Sequence, residues 1–171
     1  MKTLALTAAA CLALTFSAQA GHQIVDKNPK NPVPPEPCFR AGELQLDVFG
    51  AYSNYKGDNG WGGGLGLNYF FTNNIGIGVD AQYIDLDTAN WTEELALIVR
   101  FPIEGSFCWA PYIKGVGGLT NHDVKAGFGG AGAGVEFRFS PKFGFYVEGT
   151  YNWAAADQDF ANGRAGFRFV F

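Results

Sequence analysis

From Gly42 to Phe171 the chain alternates apolar and polar residues in eight successive runs, separated by turn-forming residues. Period two is the strand period, because successive side chains leave a β-strand on opposite faces. The first run sets Leu44, Leu46, Val48 and Tyr52 against Glu43, Gln45 and Asp47. The second sets Trp61, Leu65, Leu67, Tyr69 and Phe71 against Gly62, Gly64, Gly66 and Asn68. The third opposes Ile75, Ile77, Val79 and Tyr83 to Gly76, Gly78, Asp80 and Gln82, and the fourth opposes Leu95, Leu97, Val99 and Phe101 to Glu94, Ala96 and Arg100. The fifth, from Cys108, is blurred by Pro111 and several glycines. The sixth is glycine-rich to Phe139, the seventh begins at Phe143, and the eighth ends Arg164 to Phe171. Such a pattern leaves no room for a helical layer and predicts an all-β domain.

Alternation yields two faces without saying which is inside. Three observations orient them. The polar parity holds Gly62, Gly64, Gly66, Gly76, Gly78, Gly130, Gly132 and Gly134, and small residues suit the narrow interior of an eight-stranded barrel better than a water-facing surface. Aromatics gather at run ends: Tyr52, Trp61, Tyr83, Trp91 and Trp153 at one, and Phe71, Phe101, Trp109, Phe139, Phe143 and Phe171 at the other, as in paired interfacial girdles. The remaining charges on the polar parity nearly balance, with Glu43, Asp47, Asp80, Glu94, Glu136 and Glu148 against Arg100, Lys114, Arg138, Arg164 and Arg168. A mixed network of that kind tolerates removal from water. The apolar parity therefore faces lipid, and backbone groups in lipid require the sheet to close. The expected fold is an eight-stranded antiparallel up-and-down transmembrane β-barrel over residues 42–171, with a lumen filled by charge.

The segment before it reads differently. Residues 1–20 have Lys2, an apolar stretch and the ending Ala18-Gln19-Ala20, the layout of a secretory signal peptide. Cys11 is not read as a lipidation site, since Ala8 stands where a lipobox prefers Leu. Residues 21–41 carry the prolines from Pro29 to Pro37 and are expected to form a short extended, solvated tether. Charged residues make up only 16% of the chain, and the net charge of −4 argues against a nucleic-acid partner.

The C-terminal run, with Phe167, Phe169 and Phe171 opposite Arg164 and Arg168, resembles the closing strand of the small eight-stranded outer-membrane β-barrels of the OmpA and OmpX type. That resemblance implies residence in the outer membrane of a Gram-negative-type bacterium, contact with outer-membrane lipid and lipopolysaccharide, and a monomeric barrel. It also implies that the three phenylalanines are the signal read by the barrel-assembly machinery. With both termini periplasmic, residues 72–74, 102–107 and 140–142 are periplasmic turns, and 54–60, 86–90, 120–127 and 154–162 are short external loops.

Cys38 and Cys108 then fall at the periplasmic mouth, where an oxidising compartment favours a disulfide over two free thiols. The bridge would close a loop of about 70 residues, worth roughly 4 kcal/mol of chain entropy. Gly127–Gly132 matches G-x-G-x-x-G, but the chain continues as strand where a dinucleotide site needs a helix. His122-Asp123 could supply a general base near the outer leaflet, yet only Thr120 stands by as nucleophile. Asp58, Asp85, Asp87, Asp123, Asp157 and Asp159 at the external rim read as loop polarity, with divalent-cation bridging to lipopolysaccharide phosphates as the alternative. No cofactor, metal or catalytic residue is assigned. The functional expectation is a non-enzymatic barrel serving envelope integrity or surface interaction. A narrow conduit for solutes or hydrophobic ligands is the alternative, followed by a lipid A modifying enzyme.

Overall fold

The computed structural model describes residues 36–55, 57–86, 90–121, 125–155 and 159–171. The signal segment, most of the tether, His122, Asp123, Asp87 and Asp157 lie outside the described residues. Eight strands follow in chain order: β1 (Glu43–Tyr55), β2 (Asp58–Phe70), β3 (Ile75–Asp85), β4 (Asn90–Arg100), β5 (Cys108–Thr120), β6 (Ala126–Ser140), β7 (Phe143–Ala154) and β8 (Phe160–Val170). Each pairs antiparallel with the next, and β8 returns to β1, so the sheet is a closed barrel. The seam runs from Gln45 opposite Val170 to Tyr55 opposite Phe160, and Leu44 and Phe171 extend it with two further backbone hydrogen bonds. Closure leaves no edge strand with unpaired donors and acceptors.

The pleat separates the residues as their alternation requires. Along β3, Ile75, Ile77, Val79 and Tyr83 point outward, while Gly76, Gly78, Asp80 and Gln82 point inward. Leu95 and Val79 are about 60% exposed on the outer wall, whereas Arg164 and Glu136 inside are at most 3% exposed. This is the inverse of a water-soluble protein, whose large apolar side chains are mostly buried and whose charged ones seldom are. The outer wall ends in aromatic pairs: Tyr52 against Trp61, Tyr83 against Trp91 and Tyr151 against Trp153 at the loop end. At the end where β1 begins and β8 ends, Phe143 packs on Phe139, Phe167 and Phe169. These two ends are called the loop mouth and the terminal mouth below.

Strands reach farther into the expected external loops than turn residues suggest: β6 begins at Ala126 and β8 at Phe160, inside the expected loops 120–127 and 154–162. Residues 54–60 do not form a loop: β1 continues through Tyr55 and β2 resumes at Asp58, with Gly57 taking φ 105° at the turn. The Asn59 side chain holds this extension together, its Oδ1 accepting from Tyr52 Oη at 2.6 Å and from Asn54 Nδ2 at 2.5 Å. Polar residues that look like loop in sequence thus serve as a cross-strand ladder. β5 is as long as β1 despite Pro111, whose carbonyl still accepts from Phe101 N–H at 2.8 Å.

Inward glycines make room for large neighbours. A Cβ on Gly134 would sit 2.6 Å from the Tyr112 ring, and one on Gly64 would sit 2.6 Å from the Phe49 ring. Gly134→Val should therefore lower barrel stability by about 1–3 kcal/mol, the usual cost of overpacking. Urea unfolding in lipid vesicles would measure it; an unchanged midpoint would mean that both the Tyr112 ring and the Val147 carbonyl, 2.7 Å from the added carbon, give way.

Candidate functional site

The interior is built in layers, and the residues of each layer come from strands around the whole ring. Nearest the terminal mouth, Glu43 of β1 receives Arg100 of β4 and, at 2.8 Å, Arg138 of β6. Arg138 also pairs with Glu136 on its own strand, and Glu136 takes Arg168 of β8 at 2.6 Å. Arg168 grips Asp47 of β1 with two nitrogens at 2.7 and 2.6 Å. A bidentate fork of this kind fixes orientation as well as charge. These three carboxylates and three guanidiniums form one continuous, neutral chain of pairs.

A second cluster lies farther toward the loop mouth. Arg164 of β8 reaches Asp80 of β3 at 3.0 Å, Glu94 of β4 at 2.8 Å and Glu148 of β7 at 3.4 Å. Lys114 of β5 takes the same acids from another side, at 2.9 Å from Glu94, 2.7 Å from Glu148 and 3.7 Å from Asp80. Tyr112 donates to Glu148 at 2.8 Å, and Asn68 donates to Asp47 at 2.9 Å. All eleven charged positions that alternation assigns to the interior are placed in these two clusters. Aromatic rings line their flanks, with Arg168 4.6 Å from the Tyr146 centroid and Arg164 4.9 Å from that of Phe49.

Apolar side chains close the loop end of the interior. Tyr55 stacks on Phe160 at 4.5 Å, and Phe128 meets Phe160 edge-on at 5.3 Å. Ile84 and Leu86 belong to the same buried cluster. Sequence reading missed this cap, because Phe160 was placed in an external loop and Phe128 was absorbed into a glycine run. Parity held the signal: Phe160 is in step with Asn162 and Arg164, which face inward.

A strap closes the terminal end. Cys38 and Cys108 form a disulfide with Cα atoms 6.3 Å apart. The expected tether is therefore solvated only in part near its end: Glu36, Pro37 and Ala41 are exposed, Cys38 and Arg40 are half-buried, and the ring between them is buried. Phe39 is only 1% exposed and lies with the Arg100 and Arg138 guanidiniums 4.9 and 4.8 Å from its ring centroid. Its N–H donates to Glu104 at 3.1 Å, and Arg138 donates to the Cys38 carbonyl at 3.2 Å. Proline composition described the chain up to Pro37; the cation-flanked ring after it has no compositional signature.

The remaining candidates do not converge. Thr120 is buried and donates to Asn90 at 3.1 Å inside the barrel, so its hydroxyl is engaged in packing. Asp159 accepts from Ala154 N–H at 2.9 Å, a local turn contact. Gly127–Gly132 lie within β6, as the continuing strand pattern requires. Among the described residues no group of three or more His, Cys, Asp or Glu has a metal-holding arrangement.

Against solved structures, the barrel matches the N-terminal β-barrel domain of OprF from Pseudomonas aeruginosa at TM-score 0.61 and 18% identity, covering 77% of this chain and 99% of that one. The fold is that of a small outer-membrane β-barrel. Neisserial surface protein A matches this barrel at TM-score 0.58 and 16% identity, over 75% of this chain and 96% of the other. Ail, the attachment invasion locus protein of Yersinia pestis, matches at 0.51 and 14%, over 77% and 99%. No protein-family model and no curated protein matches the sequence of this small barrel.

Removing Arg164 would leave Asp80, Glu94 and Glu148 facing Lys114 alone. Arg164→Ala should cost about 3–5 kcal/mol, the price of stripping one partner from a buried charge cluster. A double-mutant cycle with Glu94→Ala, followed by urea unfolding in vesicles, should return a large coupling energy; additive losses would show that the pair acts independently.

Proposed function

We propose that this chain is an integral, non-enzymatic barrel of the Gram-negative outer membrane that serves envelope integrity or surface interaction without conducting solutes. The observation that carries this reading is the filled interior: two ion-pair clusters between an aromatic cap and a disulfide-bound strap. An apolar outer wall between aromatic girdles supports immersion in lipid, with lipopolysaccharide as its natural neighbour in the outer leaflet. The terminal mouth then faces the periplasm, where an oxidising milieu suits the Cys38–Cys108 bridge. Short connections at the loop mouth favour a compact surface over a large adhesive crown.

Planar-bilayer recordings test the sealed lumen. The purified barrel should give no discrete current steps, and regular single-channel openings would replace this reading with that of a narrow conduit. Deletion of the gene should raise envelope permeability to bulky hydrophobic dyes, while the mass spectrum of lipid A should stay the same. A change in lipid A acylation would favour an enzyme.

Assembly is the second part of the proposal. Phe167, Phe169 and Phe171 are taken as the signal for the barrel-assembly machinery. Phe171 and Phe139 are equally exposed phenylalanines at the same mouth, at 63% each. Phe171→Ala should lower the heat-modifiable, folded fraction in cells, whereas Phe139→Ala should not. Equal losses in both variants would reduce the signal to general aromatic anchoring.

A further inference from the structure

We propose that the segment from Cys38 to Gly42 is a redox-latched lid over the terminal mouth of the barrel. In a closed ring of eight strands, β1 and β5 stand opposite each other. The segment enters β1 through Gly42, and its other end is bonded to Cys108, the first residue of β5. It therefore crosses the mouth along a diameter. Four residues reach at most about 13 Å, and the disulfide adds 6.3 Å between the Cα atoms of Cys38 and Cys108, which together suit a span across a lumen of side chains.

The lid has a hinge, a stopper and a latch. Gly42 takes φ 78°, a left-handed conformation natural to glycine, and its N–H donates to the Phe70 carbonyl at 2.7 Å, so the root of the strap is anchored to β2 and the chain turns away from the sheet at this residue. Phe39 is the stopper, its buried ring covering Arg100 and Arg138. The disulfide is the latch, and both of its cysteines are half-buried at the mouth, within reach of a soluble reductant. Neither arginine depends on the lid for its main charge partner. Arg100 pairs with Glu43, and Arg138 with Glu43 and Glu136, all on barrel strands. Lifting the lid thus admits water to this layer while leaving its ion pairs and the closed sheet in place.

Release needs two thiol equivalents, which a dithiol supplies in one molecule. One thiolate attacks a bridge sulfur and breaks the S–S bond, forming a mixed disulfide. The second thiol of the reagent then closes the reagent's own disulfide and frees the other cysteine, so two electrons pass from dithiol to bridge and both cysteines end as thiols. Once free, the strap is held without a covalent bond, by the Phe39 ring beside the two guanidiniums and by single hydrogen bonds: Phe39 N–H to Glu104 at 3.1 Å, Arg138 to the Cys38 carbonyl at 3.2 Å, Arg40 N–H to Glu43 at 3.3 Å and Arg100 to the Arg40 carbonyl at 3.4 Å. The lid rests on the reading of a filled barrel, but its test is separable, because conduction also requires the Tyr55–Phe128–Phe160 cap to open.

Arginine labelling with phenylglyoxal, mapped by mass spectrometry on the folded full-length barrel in detergent, reads the lid directly. In the oxidised protein Arg40 should label while Arg100, Arg138 and Arg164 stay protected. After dithiothreitol, with two free thiols verified, labelling of Arg100 and Arg138 should rise by about tenfold or more, as expected for local opening, and Arg164 should remain protected. Cys38→Ser with Cys108→Ser should match the reduced protein. Phe39→Ala, with the bridge intact, should expose both arginines in a barrel that still shows heat-modifiable migration. Continued protection of Arg100 and Arg138 after reduction would overturn the latch, and continued protection in Phe39→Ala would overturn the stopper. Labelling of Arg164 together with them would overturn the lid as a separate element and make the bridge a staple of the whole barrel.

Discussion

In a hydrocarbon medium a backbone N–H or C=O without a partner costs several kcal/mol, and water cannot relieve it. The pairing of β8 with β1 answers that constraint, and the other features of the molecule follow from it. A ring of eight strands encloses a space only wide enough for side chains. Whatever faces inward must fill that space and satisfy its own polar atoms there. Glycines opposite Tyr112 and Phe49 reconcile large rings with a narrow bore, and the charged residues fill the rest in pairs.

The ion pairs are best understood as interior filling that also orders the wall. Arg168 on β8 draws on acids from β1 and β6, and Arg164 on β8 on acids from β3, β4 and β7, so each guanidinium ties its own part of the ring to strands that are not its backbone neighbours. Buried charges of this sort contribute modestly to net stability but are costly to break singly. Their value here is geometric: strands on opposite sides of the ring are held at one spacing. The strap repeats the principle with a covalent bond, joining the entry of β1 to the start of β5 across the mouth.

Much of this was legible because a barrel wall is locally regular. Leu95, Leu97 and Val99 take the outward parity and Glu94, Ala96 and Ile98 the inward one, and parity decides the face. Legibility failed where identity and parity disagree. Ile84, Phe128 and Phe160 are apolar residues on the inward parity, and reading by composition sent them to loops or overlooked them. It also weakened where no period exists: Phe39 follows a proline-rich stretch, and only folding back over the mouth brings it to Arg100 and Arg138.

By itself the sequence determined the strand number, the membership of the interior charge set and the common end of two cysteines, which follow from a two-residue period and turn positions, and the outward face, which follows from the glycines, end aromatics and balanced charges that the two parities carry. The tertiary structure alone decided who pairs with whom inside. Partners such as Arg164 and Asp80 are separated by 84 positions, and their meeting depends on the stagger of strands around a closed ring, which no local pattern encodes. It likewise decided that the chain before β1 is a crossbar with a buried ring, because that depends on two opposite strands being one lumen's width apart.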